Sequence, residues 1–204
     1  GARGTISGNA TATGSLSNPS AQFTLSGSGI TTEQIARSGT APLTLDVAGT
    51  YDDGTVNLAN AEVVVGDGRL TARGTVGQQL DINVDLSRLP VGLANGFVDG
   101  LGAQGTVSGT ASATGPPPNP NAQVTYDVNA SGVSIAPTRG AGVGALQIVT
   151  QGQYASNRVT TDTRLSGSGI DLAVAGSVGL SGTPTLDLAA NGTAPLSLAN
   201  PILA

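Results

Sequence analysis

The residues of this chain that could do chemistry are few, and their spacing excludes more reactions than it suggests. Its 204 residues include no His, Cys, Met, Trp or Lys. A Ser or Thr nucleophile therefore has no His or Lys base to take its proton, and arginine is the only side-chain cation. The segment GLGAQG at Gly100–Gly105 fits the dinucleotide pattern GxGxxG. That pattern holds a pyrophosphate only when a helix N-terminus follows, whereas here the strand-like TVSGTASAT follows, so the segment reads as a linker. Asp52-Asp53 and Asp67 could lend carboxylates to a calcium loop, but the chain has neither an EF-hand loop nor a calcium-roll nonapeptide. They read instead as turn formers that accept backbone N–H bonds. Asp81 and Asp85, the candidate pair for sugar hydrolysis, alternate with apolar residues and so belong to a solvated strand face. Sequons at Asn9, Asn129 and Asn191 are expected by chance in a chain rich in Asn, Ser and Thr. The expectation is a protein that is not an enzyme, with no catalytic, cofactor-binding or metal-binding residue.

What remains is an apolar stripe. Leu43-Leu45-Val47, Val63-Val65, Leu70, Leu80-Ile82-Val84-Leu86, Val124-Tyr126-Val128, Leu146-Ile148, Ile170-Leu172-Val174 and Leu186-Leu188 follow a two-residue period. Apolar groups then point to one face of each strand and polar ones to the other, the pattern of an antiparallel sheet wetted on one side. Turn signals separate the strands at Asn18-Pro19, Asp52-Asp53-Gly54, Gly66-Asp67-Gly68, Ser156-Asn157 and Asn191-Gly192. Val63–Val76 reads as a hairpin about Gly66-Asp67-Gly68. Two interruptions read as short helices: Glu33–Arg37 behind a Thr31/Gln34 capping box, and a turn opened by Pro90 with Leu93 and Phe97 one turn apart. A shorter counterpart of the second is expected over Pro195–Leu203. The fold class is all-β, with about 12 to 16 strands.

The same unit is written twice. GTISGNATATG at Gly4–Gly14 returns as GTVSGTASATG at Gly105–Gly115, and NPSAQFTL at Asn18 returns as NPNAQVTY at Asn119. Leu43 corresponds to Leu146, Tyr51 to Tyr154, Gly74 to Gly176, and LPVGLAN to APLSLAN. Repeat 1 is expected over about residues 4–100 and repeat 2 over about 105–204, as one elongated β-domain whose loops absorb the length changes. The chain starts at Gly1 and stops inside the repeated LAN motif, and so reads as part of a longer protein.

Composition limits what such a sheet can do. Thirty-one residues are Gly and aromatics make up 2%, so a thick compact core is not expected. A net charge of −5 with no basic run excludes nucleic acid as a partner. Small residues (Ala12, Ala72, Ala173, Ala175, Ala189) interleave with the larger ones, leaving space along the stripe that a close sheet or a guest must fill. Alternation alone leaves three shapes open: a closed solenoid, a sandwich, or a trough.

The strings GTISGNATATGSLSNPSAQFTLSGSGI and GTVSGTASATGPPPNPNAQVTYDVNASGVSI, followed by TAPLSLAN, resemble the C-terminal region of the TamB family. This is the inner-membrane-anchored component of the bacterial translocation and assembly module, a relative of AsmA-like proteins. The resemblance covers nearly the whole chain, in two copies. It implies a curled, U-shaped antiparallel sheet, the β-taco, open along one side and spanning the periplasm of a Gram-negative bacterium. The twenty residues of the stripe would line its groove. The implied partners are phospholipid acyl chains moving between membranes, or amphipathic outer-membrane strands during protein assembly and secretion. A TamA-like outer-membrane barrel would be met through regions outside this segment. The family has no catalytic motif to carry over, and Pro116–Pro118 departs from its pattern.

Overall fold

The computed structural model describes residues 1–15, 17–116 and 123–195. They form one antiparallel sheet in which every strand pairs with its neighbours in chain order, not closed into a barrel. Its strands are β1 (Arg3–Ser15), β2 (Asn18–Thr31), β3 (Leu43–Asp52), β4 (Thr55–Val65), β5 (Gly68–Val76) and β6 (Leu80–Pro90). The second half supplies β7 (Gln104–Gly115), β8 (Gln123–Ser134), β9 (Leu146–Ala155), β10 (Arg158–Gly167), β11 (Ile170–Gly179) and β12 (Thr185–Thr193). Twelve strands at roughly 4.8 Å spacing make a ribbon about 53 Å wide. Short connections make the meander possible: Asp53-Gly54 and Ser156-Asn157 are two-residue turns with φ of 43° and 76°, and of 51° and 59°. Positive φ at both positions matches the twist of the flanking strands. The expected Val63–Val76 hairpin is β4–β5, turning at Gly66-Asp67.

The helices are brief. α1 (Glu33–Ser38) is capped by Thr32, whose Oγ1 accepts the Ile35 N–H at 3.3 Å, and ends at Gly39 with φ 72°. The cap is thus one residue later than the Thr31 expected from sequence, because Thr31 closes the β2 ladder against Arg3. Val91–Gly96 forms a 3-10 helix after Pro90, with Leu93 half-buried but Phe97 77% exposed, so the two do not share a packed face. α2 (Ala136–Gly140) was not expected; Pro137 in its first turn was the available sign. The counterpart expected over Pro195–Leu203 lies outside the described residues except for Pro195. Asn191-Gly192 is not a turn: both residues sit inside β12, paired with Ala173 and Leu172. Asn18-Pro19 likewise opens β2, with Asn18 paired to Ser15.

The ladder shows how the two halves correspond. β1–β6 and β7–β12 share one succession, with a helix after the second strand of each. Phe23 faces Gly49 and Tyr126 faces Gly152, with Tyr51 and Tyr154 two residues beyond those glycines. Phe23 therefore matches Tyr126, two residues away from its partner in the NPSAQFTL/NPNAQVTY match. The shift arises in the β1–β2 and β7–β8 connections. Six residues separate the paired Thr13 and Ser20, and eight separate Thr114 and Gln123, the proline-rich stretch making up the difference. Pro117 and Pro118 of that stretch lie outside the described residues.

Packed interior is scarce and confined to one end. Among the described residues the buried apolar side chains are Val65, Ala103, Ala130, Val143 and Leu146, and none of the large ones is fully enclosed. They sit at or near the edge where α1, the 3-10 helix and α2 connect strands. α1 and the 3-10 helix leave the sheet four strands apart, about 19 Å at normal strand spacing. Even so, Gly96 abuts the Gln34 backbone, and Arg37 pairs with Asp99 at 3.2 Å. Together they strap the end of the first half, and the residues flanking them, Thr40, Ala41 and Pro90, line one cavity with Val65–Gly68 at the β4–β5 turn. Asn95 ties the strap to the approach of β7, donating to the Ala103 carbonyl and accepting its N–H at 2.6 Å. Accessible surface totals 12016 Å², against the ~8,600 Å² of a compact monomer of this mass. The molecule is a sheet with one stitched edge.

Candidate functional site

Pairing register decides which side chains share a face. Traced through the ladder, all twenty residues of the stripe point to the same side. Rows such as Leu45–Val63–Leu70–Leu86 and Val124–Tyr154–Val159–Val178–Leu186 run across the strands. Val65 and Leu146 are buried under the stitched edge, and Leu186 and Leu188 are exposed. The other sixteen are half-buried. Along β3, β6 and β8 these half-buried groups alternate with exposed polar residues, and along β11 with exposed Asp171, Ala173 and Ala175. One face is thus systematically less accessible than the other, as in a sheet curled toward its apolar side.

Glycines at mid-strand permit that curl, a function the sequence pattern alone did not bring out. Gly74 and Gly176 have φ of 132° and 142°, which side chains rarely adopt. A Cβ there would overlap the carbonyls of Asp81 and Asp187 on the next strand. Such glycines let backbones close in and the sheet bend. Their signal was in the repeat: Gly8, Gly49 and Gly74 each have a counterpart, at Gly109, Gly152 and Gly176. Two of these gaps are roofed by aromatics, with the Phe23 ring 2.8 Å from a Cβ built on Gly49 and Tyr126 lying over Gly152.

Two features of the face differ from expectation. Ala173, Ala175 and Ala189 fall on the polar side, because they are one residue out of phase with Leu172, Val174 and Leu188. They leave no room in the groove; Ala12 and Ala72 do lie on the apolar side. The stripe is also interrupted by hydroxyls. Thr150, Thr161 and Thr163 meet at 2.8–3.3 Å on the apolar side of β9 and β10, bonded to one another. In the first half the ladder puts Val47 and Ala61 in place of Thr150 and Thr163.

The polar side carries the remaining candidates. Asp81 and Asp85 project from β6 into solvent. Asp52 accepts from Ser20 Oγ at 2.5 Å, Asp53 forms its turn, and Asp67 is exposed beside Gly66. No group of three or more carboxylates suited to a metal occurs among the described residues. Gln104 of the GLGAQG segment opens β7, so a strand and no helix follows the glycines. The ion pairs Glu62–Arg69 and Arg164–Asp171 occupy matching places in the two halves with their charges exchanged. Arg164 binds both Asp171 oxygens, at 3.1 and 2.7 Å, and those hydrogen bonds, then the charge itself, hold its guanidinium above its ordinary pKa.

No family model, curated protein or solved structure matches this chain. The resemblance to the TamB family rests on the repeated strings alone.

Proposed function

We propose that this chain is a non-enzymatic segment of a β-groove that shields phospholipid acyl chains from water, in the manner of a TamB-like protein of the Gram-negative periplasm. One contrast carries the reading. Leu80 and Ile82 in β6 are half-buried, whereas Leu186 and Leu188, their counterparts in β12, are 73% and 44% exposed. Among the described residues, the counterparts differ in having, or lacking, a strand on the outer side. Away from the stitched edge, protection of the stripe is therefore lateral. An apolar ribbon of this length without cover calls for a guest. Each acyl CH₂ buried against it contributes about 0.8 kcal/mol. A lining of aliphatic and aromatic groups and self-bonded threonines has no charge to grip a head group, so cargo can slide. The same groove would support assembly of outer-membrane and secreted proteins, and contact with a TamA-like barrel would be made through regions outside this segment.

A second reading, pairing of unfolded outer-membrane strands with the rim, is favoured by the exposure of β1 and β12 along their whole lengths. A photo-crosslinking residue at Ile82 or Leu172, activated in cells, separates the two. Phospholipid adducts are expected at both sites; peptide adducts in their place would replace the lipid reading with the chaperone one. Recovery of neither would leave a structural stalk.

A further inference from the structure

We infer that Tyr126, Thr150, Thr161 and Thr163 form a binding site on the apolar face for the paired ester carbonyls of a diacyl lipid, a polar resting point in an otherwise aliphatic groove. The inference rests on the groove reading above and names the part of the cargo that this place takes. The four side chains come from β8, β9 and β10, and all are half-buried. The Thr150 Oγ1 lies 2.8 Å from that of Thr163 and 3.3 Å from that of Thr161, which is itself 3.0 Å from Thr163. Tyr126 leans from β8 across Gly152, where its hydroxyl would overlap an added Cβ. On its other side Gly152 pairs with Thr161.

The first half has the same four places and a hydroxyl at none of them. Phe23 faces Gly49 as Tyr126 faces Gly152, and Leu58 faces Gly49 as Thr161 faces Gly152. Val47 and Ala61 stand where Thr150 and Thr163 stand. Threonine suits a strand in general, so one hydroxyl on this face would need no explanation. Four gathered at one place, each matched by an apolar group in the other half, mark a local change in what the face receives. The patch is an island: Ile148 and Leu165 border it along the strands on one side, Val124 and Val159 on the other.

Counting protons shows what the patch can offer. Three threonine hydroxyls carry three protons, which close their triangle with none left over. Turning one proton outward gives up a single contact, the longest being the 3.3 Å one between Thr150 and Thr161. The Tyr126 hydroxyl forms no hydrogen bond among the described residues and donates to a guest at no such loss. Two donors can thus face the groove, and no charged side chain lies on the apolar side of these three strands. A pair of uncharged acceptors matches that supply, whereas a phosphate or an ammonium group does not. The two ester carbonyls of a diacyl lipid are such a pair, set at the root of chains that the aliphatic borders can cover. Elsewhere on the face the same carbonyls would leave water without finding a donor, and an unmade bond costs more than a made one contributes.

Two lipids separate the carbonyls from everything else in the cargo: a short-chain diacyl phosphatidylcholine below its micelle concentration, and the dialkyl ether of equal chain length. Titration calorimetry of the unmodified chain should show the diester binding about three- to tenfold more tightly, as one or two net hydrogen bonds would give. A chain carrying Tyr126→Phe, Thr150→Val, Thr161→Val and Thr163→Val has only apolar groups at this place, as the first half does, and should bind both lipids alike. Tyr126→Phe alone removes one oxygen with the ring kept, and should lose part of the preference. The carbonyl stretch of the bound diester, lowered in frequency by hydrogen bonding, should rise in the fourfold variant. Equal binding of the two lipids by the unmodified chain overturns the inference and leaves the groove reading standing, whereas binding of neither removes both. A preference undiminished in the fourfold variant overturns the inference as well. Capture of an amphipathic strand peptide in preference to the diester, lost in that variant, would give the hydroxyls to peptide carbonyls and overturn it equally.

Discussion

β6 and β12 are nearly one strand in two settings. Both carry alternating Leu or Ile and Asp, both pair with a strand creased at glycine, and both follow a turn at the same end of the sheet. The inner one has its stripe half-buried and the outer one has it bare. β7 and β1 repeat the lesson: Val107 is half-buried and Ile6, its counterpart, is 62% exposed. In a sandwich an outer strand would still face a second layer. Here a missing neighbour removes most of the cover, so burial in this sheet is a property of adjacency.

That contrast is tested most severely at the creases. Gly74→Ala forces a Cβ into the Asp81 carbonyl at a φ unsuited to alanine, between two strands that cannot both retreat. A loss of about 3 kcal/mol or more in urea unfolding is expected. Gly176→Ala meets the same overlap with Asp187, but β12 is an outer strand and can detach to relieve it. Its cost should be about 1–2 kcal/mol, with faster hydrogen exchange confined to β12. Equal costs at the two sites would show that the outer strand is held by more than its one neighbour.

A milder pair addresses the stripe itself. Ile82→Ala removes a half-buried group flanked by Gly74 and Ala113 and should cost about 1–2 kcal/mol, less than the 2–5 kcal/mol typical of an enclosed core position. Leu188→Ala should cost under about 0.5 kcal/mol in dilute solution. If a lipid covers the groove, added phospholipid should stabilise the unmodified chain more than the Ile82→Ala variant, measured by unfolding in its presence. A loss at Ile82 in the full core range without lipid would mean that protein already covers this face.

How much of this was legible beforehand depends on whether the information is local. Alternation is local, and it placed all twenty stripe residues on one face because period two survives every turn that keeps register. The hairpin at Gly66-Asp67 and the turn at Ser156-Asn157 were legible for the same reason. Asn191-Gly192 misled because turn chemistry at one site yields to a ladder that needs strand there. The two-residue displacement of Phe23 against Tyr126 was hidden because matching strings align letters, whereas pairing aligns backbones. α2 was missed because five residues are too few for a helical period to show. Thr150 meets Thr161 and Thr163 only because β9 pairs with β10, so their proximity depends on register and not on the order of residues along the chain.

The smallest effect concerns the exchanged ion pairs, where the two halves solve one problem with opposite signs. Glu62 and Arg69 in the first half stand where Arg164 and Asp171 stand in the second. If only complementarity matters, Glu62→Arg alone, which sets two arginines together, should cost about 0.5 kcal/mol. Adding Arg69→Asp should restore the original midpoint by installing the second half's arrangement in the first. For Arg164 the direction of the shift decides the pH response. A cation held above its ordinary pKa keeps its contribution below that ordinary value and loses it only as pH rises through the raised one. Both values lie well above neutrality, so this pair should leave the urea midpoint unchanged between about pH 6 and pH 9. A midpoint that falls across that window in the unmodified chain, but not in Asp171→Asn, would show that the pair titrates near neutrality and that the two halves differ in more than sign.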